Sequence, residues 1–143
     1  MLAMRKVAGA VLGLAFAGVL FAEPIQEGYH NIKDRFIWAE LQKELTDSNV
    51  ASVRVGRLDE VALATAAKKE FLEKLQQAEF ESSNWRRHGP TPENHATVVF
   101  KDGSFHGFGY WGGGTFETSF WGSQFLIESR ELGEIVERNT GNR

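Results

Sequence analysis

Apolar and polar positions along this chain follow two distinct periods. Over residues 31–49 the period is helical. Ile37, Leu41 and Leu45 recur every fourth position behind Asn31, which suits an N-cap with Asp34 three places on, and Asp47-Ser48-Asn49 ends the run. Val50 to Arg57 switches to the period of a strand, with Val53 and Val55 facing one way and Ser52 and Arg54 the other. Leu58 to Leu63 reads as a short return strand. Thr65 then offers a cap for a second helix. Phe71, Leu72, Leu75 and Ala78 fall on one stripe of it, while Lys68, Lys69, Glu70, Glu73 and Lys74 take the wet side.

Strand signals dominate the second half. Phe80 to Trp85 suggests a strand, and Arg86 to Asn94, with Pro90 and Pro92, suggests a loop. Ala96 to Lys101 and Ser104 to Trp111 flank Asp102-Gly103, a pair suited to a two-residue hairpin turn with positive φ. That register sets Lys101 opposite Ser104, Phe100 opposite Phe105 and Val99 opposite His106. Gly112 to Gly114 turn the chain into a strand over Thr115 to Trp121, and Gln124 to Glu128 forms the last strand. Ser129 caps a closing helix with Leu132, Ile135 and Val136 inward. The expected architecture is a single α+β domain over residues 31–139. It has a largely antiparallel sheet of about five to six strands, with two or three helices packed on one face. Residues 23–30 read as a polar linker and residues 140–143 as a disordered tail.

The segments KEFLEKLQQAEFESS, VVFKDGSFHGF and QFLIESREL, between Ser52 and Glu137, set out a strand, an amphipathic helix, a meander and a short final helix. This arrangement resembles small exported bacterial α+β modules of unknown function. The resemblance rests on spacing; it implies the fold and brings no activity with it.

The first residues change the picture. Arg5 and Lys6 precede an uncharged run over residues 7–22 that includes Gly9, Gly13 and Gly18. Spanning a bilayer takes roughly 20 apolar residues, so a basic start, a short apolar centre and small residues at its end read as a signal peptide over residues 1–22. Cleavage is expected after Ala22, where Glu23-Pro24 turns polar, with Ala15 and Ala17 as an alternative small-x-small site. The expectation is an exported chain, periplasmic or extracellular, with no stable membrane anchor once the leader is gone. The chain has no cysteine, which excludes disulfide scaffolds, thiolate metal sites, a cysteine nucleophile and a lipid-bearing cysteine at the cleavage point. A formal net charge of −3 removes the electrostatic case for nucleic-acid binding, and Arg86-Arg87-His88 beside Trp85 is too short a basic stretch to restore it.

Candidate chemistry is sparse. The span from Phe100 to Phe125 holds more than half of the chain's aromatic residues among seven glycines. Alternation puts His106, Phe108 and Tyr110 on one face of a strand and Phe105, Gly107, Gly109 and Trp111 on the other. One set fills the core. The other would be left near water, and Phe108, Tyr110, Trp111 and Trp121 are the candidate contact residues for a ligand or a partner protein. HGFGYWGGG lacks both the GxxxxGK[ST] and the helix-entering GxGxxG pattern, so its glycines read as a hairpin turn. His88 and His95 flank one loop with Glu93 between them, an alternative set of metal ligands for a small metal-assisted hydrolase of the cell envelope. Ser104 and His106 stand side by side on a strand, and no GxSxG elbow is present, so no nucleophile is identified. The functional expectation is a non-enzymatic binding or interaction domain that needs no cofactor. Its partner would be an envelope or extracellular protein or a small ligand. Inhibition of an envelope-directed enzyme is a further alternative, with Arg86 to Asn94 as the protruding loop, and an open sheet edge would permit a homodimer.

Overall fold

The computed structural model describes residues 24–84 and 91–141. The expected leader, the basic knot with His88, and the last two residues lie outside the described residues.

The first helix, α1, occupies residues 24–44 and buries Ile37, Trp38 and Leu41 on one side, with Leu45 just past its end. It takes in the stretch that composition marked as linker. Pro24 is no obstacle in a first turn, where its missing N–H has no partner to lose. Asn31 is therefore inside the helix, and its Oδ1 accepts a 2.7 Å hydrogen bond from the Ser83 N–H instead of capping.

Seven strands follow, all paired antiparallel: β1 (Val50–Gly56), β2 (Val61–Ala62), β3 (Glu79–Ser83), β4 (Asn94–Phe100), β5 (Phe105–Gly112), β6 (Thr115–Phe120) and β7 (Ser123–Glu128). Their spatial order is β2-β1-β4-β5-β6-β7-β3. Between β2 and β3 lies α2 (Thr65–Gln77), and α3 (Arg130–Thr140) closes the fold. The sheet is wider than expected because the two short segments β2 and β3 form its edges. This is a single α+β domain with an antiparallel sheet, as the pattern implied.

The α2 stripe falls where expected, with Phe71, Leu72, Leu75 and Ala78 buried. Thr65 is the first helical residue; Ala64 holds the cap position and makes no side-chain cap. For α3 the cap is as read: Ser129 Oγ accepts from the Leu132 N–H at 3.2 Å. That helix runs on to Thr140, whose hydroxyl donates to the Val136 carbonyl at 2.8 Å, so the expected tail begins later.

The β4–β5 hairpin differs by one register step. Val99 pairs with Phe105 and Val98 with His106. Gly103, at φ +89°, donates to the Phe100 carbonyl at 3.0 Å, and the Phe100 N–H donates to the Ser104 carbonyl at 2.8 Å. These bonds define a three-residue loop, Lys101 to Gly103, in which the glycine supplies the left-handed residue after a type I turn. Asp102 Oδ1 stabilises it by accepting from the Ser104 N–H at 2.9 Å. Because side chains alternate, this register sets Ala96 and Val98, both buried, beside Phe108 and His106.

One sheet face carries the core. Val53, Val55, Ala96, Val98, Phe108, Tyr110, Phe116, Phe125 and Ile127 are all buried there beneath the apolar sides of the helices. Each large side chain so buried contributes roughly 1.5–3 kcal/mol. Trp38 of α1 sits at the centre, edge-on to Phe108 and Phe125 with ring centroids 6.4 and 6.1 Å away, and its indole N–H donates to the Ala78 carbonyl at 3.1 Å. Among the described residues no helix lies over the opposite sheet face.

Candidate functional site

The aromatic meander divides by strand alternation, and the division decides which residues can meet a ligand. Phe108 and Tyr110 are 1% and 4% exposed, so both belong to the core. This corrects their assignment to a contact surface: alternation grouped them rightly with His106, but their face is the one the helices cover. Tyr110 lies against Phe116 with centroids 4.7 Å apart. Its hydroxyl donates to Glu137 of α3 and accepts from the Gly114 N–H at 3.4 Å. Burial, together with the Glu137 carboxylate, holds the phenol above its usual pKa. A Cβ on Gly133 would come within 2.8 Å of that hydroxyl, so α3 approaches the β5–β6 turn closely only because glycine stands there.

His106 is buried on the same face, its ring 5.0 Å from Phe108 and 5.3 Å from Phe120. Its Nε2 is 2.6 Å from Thr118 Oγ1, and that hydroxyl donates at 3.0 Å to the Gly107 carbonyl. With its one proton committed there, Thr118 must accept from the imidazole, which assigns the neutral Nε2–H tautomer. Burial among rings lowers the pKa of His106 to about 4. A neutral imidazole enclosed in this way is a packed polar group of the core.

The helix-free face is shallow and polar. A groove of about 430 Å³ runs across it between Glu60, His95, Thr97, Glu117 and Ser119, floored by Gly107 and Gly109. Pro92 fills the space over Gly109, where a Cβ would come within 2.5 Å of the proline ring. Thr97 Oγ1 donates to Glu60 at 2.8 Å, while Glu117 accepts from Asn84 at 3.2 Å and from Gln124. These carboxylates are therefore already engaged.

His95 pairs with Gly56 and Gly109 on β4, and Glu93 lines a separate pocket beside the end of α3. His88 lies outside the described residues. Among the described residues no group of three His, Asp or Glu side chains comes together so as to hold a metal ion. Asp34, buried on α1, accepts from the Ser83 hydroxyl through one oxygen and has no partner for the other. With Asn31 it ties the helix to the edge strand β3.

Trp111 is half-buried, and its indole N–H has no acceptor among the described residues. Trp111→Phe removes that unpaired donor. The substitution is expected to change unfolding free energy by less than about 1 kcal/mol, read by urea denaturation, because the lost contact area and the relieved donor oppose each other.

Trp121 is the one proposed contact residue that stands clear of the body, at 69% exposure. β6 ends one residue before it, and Phe120 pairs with Ser123 across a two-residue turn, Trp121-Gly122, with φ of +48° and +76°. This is a type I′ turn, which favours Asn-Gly. A bulky side chain held in the left-handed region is a genuine outlier. Its ring stacks on Phe120 with centroids 4.7 Å apart. The β5–β6 pairing ends at Phe108↔Thr118, and Phe105, at the start of β5 beyond that pair, is 76% exposed. Phe105 was legible only as a member of the face opposite Phe108. Trp121 in a turn was not legible, since the residue suits a strand.

Among the described residues no helix is long and apolar enough to cross a membrane. Comparison with known protein families, curated proteins and solved structures yields no match to this chain.

Proposed function

We propose that this chain is an exported interaction domain without catalytic machinery of its own, which contacts a partner protein of the cell envelope through Phe105 and Trp121. The observation that carries the reading is the backbone of Trp121. Left-handed geometry costs a bulky residue about 1–2 kcal/mol, and stacking on Phe120 returns about 0.5–1.5 kcal/mol, so the two nearly offset and the tryptophan adds little to the fold. Strained backbone positions cluster at ligand and partner contacts, and an exposed aromatic kept at one supports a contact role here. Arg5 and Lys6 before the uncharged run over residues 7–22 support the export part of the reading.

Trp121→Asn converts the turn to Asn-Gly. The expected result is unchanged or slightly raised stability, by up to about 1 kcal/mol, with loss of partner capture. The test compares wild type, Trp121→Asn and Phe105→Ser as baits on envelope extract, alongside their thermal unfolding. A partner retained by wild type and lost by both equally stable variants supports the reading. Capture that is indifferent to both substitutions overturns it, and so does a Trp121→Asn protein destabilised by several kcal/mol.

A further inference from the structure

We propose that α1 pairs in parallel with the α1 of a second copy of this chain, through Ile25, Tyr29, Ile32 and Phe36. These side chains are 68%, 63%, 75% and 64% exposed. Their spacing is four, three and four residues, the seam of a two-stranded coiled coil. At 100° per residue they fall within a narrow stripe, and Asp34, Trp38 and Leu41, which face the body, lie on the opposite side of the helix. A helix apolar on two opposite sides has two surfaces to cover. The body covers one. The other points away from the described body and is left open by it.

The occupant is identified by size, symmetry and charge. Two aromatic and two isoleucine side chains, at roughly 150 Å² each, present on the order of 600 Å², close to the ~800 Å² per partner of a standard interface. The stripe is self-complementary, so a two-fold pair buries all four positions on both helices at once. In that heptad Arg35, whose guanidinium lies 5.1 Å over the Phe80 ring, and Glu40, which meets Lys43 on its own helix at the exposed surface, occupy the g and e positions, and a parallel partner sets its Glu40 within reach of Arg35, twice by symmetry. An antiparallel pair would instead set Arg35 against Gly28 and Lys33 against Gln26, with no opposite charge. The seam ends at Lys43, the next a position, where α1 reaches its last turn.

The absence of cysteine makes the test clean. Cells producing the full chain with Ile25→Cys or Phe36→Cys are oxidised mildly, and the wild-type protein and Ile32→Glu recovered from such cells are weighed by sedimentation equilibrium. The expected results are a wild-type dimer, homodisulfides at both positions, and a monomeric Ile32→Glu protein with unchanged circular dichroism. Arg35→Glu is expected to weaken the dimer about tenfold, and adding Glu40→Arg to restore it. A wild-type monomer overturns the proposal, as does a dimer that survives Ile32→Glu. Disulfides formed only in a mixture of the two cysteine variants overturn the parallel arrangement. A monomer that cosediments with phosphatidylglycerol vesicles, and loses this with Ile32→Glu, overturns it too by assigning the stripe to lipid.

Discussion

Phe108→Ala is expected to destabilise the domain by about 3–5 kcal/mol, the range for deleting a fully buried phenylalanine. The residue lies mid-sheet, paired with Ala96 on one side and Thr118 on the other, and its ring contacts Trp38 from above and His106 alongside. Neither neighbouring backbone can close the space, because both belong to continuous ladders. The cavity therefore persists and its lining loses contacts outright. Against a total stability of roughly 5–15 kcal/mol for an ordinary domain, the loss is large. It lowers the melting temperature by about 10–20 °C for a chain of this size. Thermal and urea unfolding of purified Phe108→Ala check it. A loss below about 1 kcal/mol would mean that Phe108 is solvated, as a contact residue would be.

Why this residue could be mistaken for a surface aromatic shows what the pattern could and could not convey. Alternation on β5 sorted its side chains correctly into two sets. It could not say which set faces the helices, because both sets contain large apolar residues and a period of two carries no sign. The hairpin turn residues located the β4–β5 loop, but a two-residue and a three-residue loop around Asp102-Gly103 look alike in sequence. Only the hydrogen bonds of Phe100, Gly103 and Ser104 distinguish them. Elements with a single apolar face, α2 and α3, were legible almost to the residue, down to the Ser129 cap. The first turns of α1 were not legible, since Pro24, Gly28 and four outward apolar residues suit neither a core helix nor a solvated one.

Acidification is expected to remove about 3 kcal/mol of stability between pH 6.5 and pH 4 through His106 alone. Its pKa is about 4 when folded, against the ordinary 6.5 in the open chain. Between those values the unfolded state binds a proton that the native state refuses, so unfolding becomes easier as pH falls, at about 1.4 kcal/mol per pH unit. The contribution is complete above pH 6.5 and is lost by pH 4. The physical cause is the ring enclosure by Phe108 and Phe120, which leaves an imidazolium without water. His106→Gln keeps a donor for Thr118 and cannot titrate. Urea midpoints across this range should fall more steeply for wild type than for His106→Gln. Parallel profiles would show that His106 protonates freely in the native state.

The aromatic meander is split: the helices seal an inner set, and Phe105 and Trp121 stand in water. Hydroxyl-radical footprinting of the native protein, read by mass spectrometry at each aromatic residue, measures that split directly. Rapid oxidation is expected at Phe105 and Trp121, with strong protection at Trp38, Phe108, Tyr110, Phe116 and Phe125. Rapid labelling of Phe108 and Tyr110, or protection of Trp121 in the isolated protein, would contradict it.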